Sequence, residues 1–145
     1  MKTTTHFKYI EWRDPRGLHE DTVRSLSDLK FLKDELQFLM NLVAEHTLEL
    51  IYGESSEESK VIFSQLADHK KRLEKLLKAL EAHSNKLQVL LDDTDVPGEL
   101  KLYKDEHYKL IIEEMDFHSD VKKTKRTIFQ MLSEIMKKSK QKKLS

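Results

Sequence analysis

The chain has 145 residues, 36% of them charged, with 26 basic and 26 acidic side chains, three glycines, two prolines and no cysteine. This composition excludes a disulfide framework and a thiolate metal site, and no apolar run approaches the roughly 18 to 20 residues that a membrane span needs. What is left is a single helix-rich domain with few turns, and its zero net charge hides an asymmetry: residues 121–145 hold nine Lys or Arg and one acid, a balance of +8, so residues 1–120 carry −8.

The N-terminus, Met1 to Lys8, lacks the apolar stretch and small-residue cleavage site of a secretion signal. With no cysteine to protect or oxidise, the expectation is a mature soluble protein of the cytoplasm. Residues 1–13 are expected to be irregular or weakly extended, with Phe7, Tyr9, Ile10 and Trp12 giving them an aromatic character.

Asp14-Pro15 has the form of an N-cap followed by proline at the first helical position. The first helix is expected over residues 15–52, with Gly17 a weak spot able to delay its start to about Asp21, and Gly53 as the stop. Along it Leu29, Leu32, Leu36, Leu39, Val43, His46 and Leu50 recur at alternating steps of three and four, the spacing of one buried helix face. Ser55-Ser56-Glu57-Glu58 fits a capping box and opens a second helix over 56–92, whose stripe is Ile62, Leu66, His69, Leu73, Leu76, Leu80, His83, Leu87 and Leu90. Asp92 to Gly98 combines Asx residues with a Pro-Gly pair and is the strongest break in the chain. The third helix is expected over 97–140, ahead of a short basic tail at 141–145. Its stripe runs through Leu100, Tyr103, His107, Leu110, Glu114, Phe117, Val121, Thr124, Ile128, Met131 and Ile135, continuous across His118-Ser119-Asp120.

Short connections make neighbouring helices antiparallel. The fold class is therefore expected to be all-α: an elongated antiparallel up-down-up three-helix bundle with coiled-coil-like heptad packing. On the first helix Phe31, Phe38 and Leu42 lie off the main seam. A bare bundle would leave them exposed, and large apolar patches are rarely uncovered. Their cover is either the N-terminal segment, with Phe7, Ile10 and Trp12, or a second copy of the protein. The predicted interface is Trp12, Phe31, Phe38 and Leu42, and the predicted partner is a second copy or another helical protein.

The histidines on the stripes are the one chemical lead. Reflecting residue numbers through the turn near residue 95 sets His83 opposite His107. Reflection through residue 54 sets His83 near Ser25, about a turn from Asp21 and within two turns of His19 and Glu20. One reading is a structural polar layer that fixes register; another is a contact that acid loosens, since two protonated imidazoles repel. A third is a divalent transition-metal site formed by His83 and His107 with Asp21, Glu20 or His19 as third ligand. His46 and His69 fall on other layers, and Glu114 is expected to pair with Arg72, Lys75 or Lys33.

Further chemistry is sparse. No histidine has a glutamate three residues before it or four after it, so the spacings of the carboxylate-bridged di-iron bundles are absent. There is no Gly-rich phosphate loop, no Gly-x-Ser-x-Gly turn and no cysteine nucleophile, which disfavours an enzyme. The basic end, Lys137, Lys138, Lys140, Lys142 and Lys143, suits the negative pole of a helix. It also allows contact with nucleic acid or another anionic surface. The function expected is thus a non-enzymatic helical interaction or scaffolding protein. The alternatives are a metal-binding bundle and a protein that contacts anions through its basic end.

Overall fold

The structure is a computed structural model that describes residue 10 and residues 12–46, 56–92 and 97–144. Among these are three helices and no strand: α1 (Pro15–Glu45), α2 (Ser56–Asp92) and α3 (Pro97–Leu144), which form a three-helix bundle.

The start of α1 follows from Asp14. Its Oδ1 accepts the Gly17 N–H at 2.8 Å and its carbonyl accepts the Leu18 N–H at 3.0 Å, while Pro15 occupies the first helical position without an N–H to satisfy. The cap is strong enough that Gly17 does not delay the helix. Upstream, Ile10 and Trp12 carry helical backbone and the Arg13 N–H donates to the Ile10 carbonyl at 3.3 Å. The irregular segment expected over 1–13 is corrected at these residues; Phe7 and Tyr9 lie outside the described ones. At its other end α1 closes on Glu45, where the His46 N–H donates to the Val43 carbonyl at 3.2 Å. Residues 47–52, expected to be helical, lie outside the described ones. The backbone of α3 runs on to Leu144 rather than stopping near Lys140, so residues 141–144 of the expected tail are helical: lysine is a good helix former and its charge suits the C-terminal pole.

The described stripe positions are the ones withdrawn from solvent. On α1 Leu29, Leu32, Leu36, Leu39 and Val43 are buried, on α2 Ile62 through Leu87, and on α3 Tyr103, His107, Leu110, Phe117, Val121, Thr124, Ile128 and Met131; Leu90, Leu100, Glu114 and Ile135 are half-buried.

Contacts group the chain into two compact units, one built from α1 up to Phe31, α2 from Leu73 and α3 up to Asp116, the other from α1 from Leu32 on, α2 up to Arg72 and α3 from Phe117. In the first, Ile10, Leu18, Leu87 and Tyr103 form a core flanked by Leu90, Leu100, Tyr108 and Ile111. Ile10 is thereby part of this core. In the second, Val43, Ile62 and Ile128 line one small apolar pocket, so all three helices meet there. Arg72 bonds Asp120 at 2.7 Å and Gln65 bonds Thr124 at 3.4 Å, so residue numbers on α2 and α3 run in opposite directions in this unit. Arg72 also lies over the Phe117 ring, 5.2 Å from its centroid. Asp120 is thus a bonded partner of Arg72, and the guanidinium holds the Asp120 carboxyl below the usual carboxylate range.

Candidate functional site

The first unit holds a row of polar side chains that crosses its core. Arg13 Nη2 donates to Asp21 Oδ1 at 3.1 Å, and Asp21 Oδ2 accepts from His107 Nε2 at 3.2 Å. On the other edge of the same ring, His107 Nδ1 is 2.9 Å from His83 Nε2. His83 Nδ1 lies 3.7 Å from Glu106 Oε1, and Glu106 Oε2 accepts from Lys86 Nζ at 3.1 Å. The row begins on the partly exposed Arg13, passes through three buried groups and ends on the partly exposed Glu106.

Each member is placed by its helix. Gly17 and Asp21 are four residues apart on α1 and so share one face, and Arg13, just ahead of the helix, lies along that face. A Cβ on Gly17 would sit 2.7 to 2.9 Å from Nε, Cγ and Cδ of Arg13; the missing side chain is what lets Arg13 lie along the helix and reach Asp21. On α3, Tyr103 and His107 are likewise four apart. Tyr103 stacks on His83 with centroids 3.9 Å apart and planes at 6°, and its hydroxyl donates to the His83 carbonyl at 3.0 Å. That ring and the Ile10–Leu18–Leu87 cluster keep water from His83, which has no exposed surface.

Seclusion sets the electrostatics. Burial disfavours a charged imidazole and, with the neighbouring His107, lowers the His83 pKa to about 4 against the pull of Glu106. Burial also lowers His107, with Arg13 adding to the effect and Asp21 opposing it. The Tyr103 phenol is raised by burial. At neutral pH the row therefore contains two neutral rings between two acids and two bases. Such an arrangement holds protons in directed bonds. Both imidazoles are buried.

Of the residues singled out as metal ligands, the structure brings His83, His107 and Asp21 together, while His19 is exposed and Glu20 lies 3.6 Å from Arg16 on the surface. Asp21 and His83 approach different nitrogens of His107, so the three form a chain and their lone pairs do not converge. No group of three or more His, Asp or Glu suited to a metal ion occurs among the described residues. Arg13, Gly17, Tyr103 and Glu106 were not singled out from the sequence. The four-residue spacings Arg13-Gly17-Asp21 and Tyr103-His107 point to three of them, and no spacing points to Glu106.

In the second unit His69 Nε2 is 2.8 Å from Thr124 Oγ1 and meets the Phe117 ring edge-on at 6.0 Å. Burial and then Arg72 lower its pKa. His69 thus has a polar partner across the core.

The interface candidates lie elsewhere. Trp12 and Phe31 are 81% and 72% exposed in the first unit; Phe38 is 57% exposed in the second, with Leu42 half-buried beside it. Phe38 and Leu42 line an open groove with Phe129, Leu132 and Met136 of α3, bordered by Lys137 and Lys140. Lys137, Lys138 and Lys140 are exposed on α3; the side chains of Lys142 and Lys143 lie outside the described residues. No helix among the described residues is long and apolar enough to cross a membrane.

No protein-family model, curated protein or solved structure matches this chain. Its class, an all-α three-helix bundle with a buried polar row, is defined by its own geometry.

Proposed function

We propose that the chain is a non-enzymatic helical interaction or scaffolding protein that works in the cytoplasm, as a homodimer or bound to another helical protein. The observation that carries this reading is the groove of the second unit, where Phe38 and Leu42 of α1 and Phe129 and Met136 of α3 present apolar surface to solvent. Apolar side chains gathered in a concave strip gain about 25 cal/mol per Å² when covered, and aromatic anchors dominate interface energies. A groove between two helices is also the shape that receives a third. Trp12 and Phe31 add exposed aromatic surface on the first unit.

Sedimentation velocity tests the self-association. The wild type is expected to sediment as a dimer, and replacing both Phe31 and Phe38 by Ser is expected to give a monomer with unchanged helicity. A wild type that is monomeric at every concentration sinks the homodimer; capture of no helical partner by the same surface then sinks the interaction reading.

A further inference from the structure

We propose that the Asp21–His107–His83–Glu106 row is a one-proton site: it keeps a vacancy between His83 Nδ1 and Glu106, takes a single proton there, and admits a second only by parting the two imidazoles. Asp21 sets the direction. A carboxylate accepts hydrogen bonds and donates none, so both of its contacts are donors, Arg13 Nη2 at 3.1 Å and His107 Nε2 at 3.2 Å. A neutral imidazole has one proton to give. With that proton on Nε2, His107 Nδ1 is an acceptor, and His83 Nε2 at 2.9 Å must be its donor. His83 Nδ1 is then a bare lone pair, buried and without a hydrogen-bond partner. It faces Glu106 Oε1 at 3.7 Å, a second acceptor. The row is complete except at this end, where acceptor meets acceptor.

A proton placed on His83 Nδ1 becomes a donor to Glu106 and leaves every other bond intact. On the two rings a second proton has only His107 Nδ1 to occupy, the atom at which the His83 Nε2–H already points. Two N–H groups would then meet across 2.9 Å, on cationic rings whose centroids are 5.1 Å apart. The charged groups facing the pair come from every side: Arg13 and Asp21 from the start of the chain and α1, Lys86 from α2, Glu106 from α3. Asp21 and Glu106 favour a cation and Arg13 and Lys86 oppose it, so no surplus of acid invites the second proton. Burial keeps the vacancy empty at neutral pH, and the site fills in acid. Because the His83–His107 bond joins α2 to α3, the second proton opens that contact.

Imidazole nitrogen NMR on the full chain with isotope-labelled histidine tests this, with His83→Gln and His107→Gln for assignment. Both rings are expected as Nε2–H tautomers at neutral pH, with His83 alone becoming cationic first as acid is added. Asp21→Asn is expected to reverse the row. The Asn oxygen accepts from Arg13 and its amide donates to His107 Nε2, so both rings switch to Nδ1–H and His83 donates to Glu106. Should that variant not fold, Glu106→Gln, at a half-exposed position, carries the test: its amide fills the vacancy, and His83 takes up its proton at still lower pH. The proposal is overturned by a His83 Nδ1–H tautomer in the neutral wild type, by unchanged tautomers in folded Asp21→Asn, by no shift in Glu106→Gln, or by a common midpoint for both rings.

Discussion

Acid should destabilise this protein well before its carboxylates titrate, and His83 fixes the window. Its folded-state pKa of about 4 lies below the ordinary 6.5 of an unfolded chain, so between those values the unfolded state binds the proton and the folded state does not. Stability then rises with pH across that window. The contribution is fully present above about pH 6.5, declines as pH falls, and is exhausted below about 4, where both states are protonated. One pKa unit is worth about 1.4 kcal/mol, so the gap corresponds to about 3 kcal/mol, a large part of the 5 to 15 kcal/mol that stabilises a typical domain. His107 and His69 are lowered in the same direction and steepen the loss. Urea denaturation followed by circular dichroism, at a series of pH values across the window, measures it. His83→Gln is the control, since its amide still donates to His107 Nδ1 but does not titrate. A stability independent of pH between about 6.5 and 4, or an undiminished slope in His83→Gln, would refute the reasoning.

Other perturbations have defined outcomes. Phe117→Ala removes a fully buried ring that carries both the Arg72 cation and the His69 edge; a loss of about 3 to 5 kcal/mol is expected in chemical denaturation, and a loss below about 1 kcal/mol would mean that the ring is not core. Gly17→Ala places a methyl group against Arg13 and should displace it from Asp21. Because Arg13 helps to hold His107 low, the His107 pKa is expected to rise, as read by NMR titration, even though alanine favours the helix by about 1 kcal/mol; an unmoved His107 would count against it. Deleting residues 137–145 should lower the salt concentration at which the protein leaves a heparin column, since polyanion binding scales with the cations engaged. Equal elution would remove the basic end as an anion contact. Adding zinc or nickel should leave the melting temperature unchanged, because His83 and Asp21 approach opposite edges of His107; a rise abolished by His83→Gln would restore a metal reading.

The sequence by itself determined the three helices and their buried faces. Periodicity is a local property: steps of three and four put Leu66, Leu73 and Leu80 on one side of α2 whatever α2 packs against, and Asp14-Pro15 caps α1 through atoms three residues away. It also supplied His83 and His107 as facing members of the polar row, and Asp21 as one of three candidates beside Glu20 and His19, because reflection through a short turn brings these residues within a turn or two of one level. Only the tertiary structure decided how they meet. Whether two imidazoles bond edge to edge, which nitrogen faces Asp21, and that Glu106, off the stripe, closes the row are set by rotation of each helix and by side-chain torsions, and an error of one turn in the reflection exceeds the length of any of these bonds. The same holds for Asp120, off the stripe, which the structure pairs with Arg72. Arg13 reaches Asp21 only because Gly17 leaves room along the helix, a steric fact that no stripe encodes.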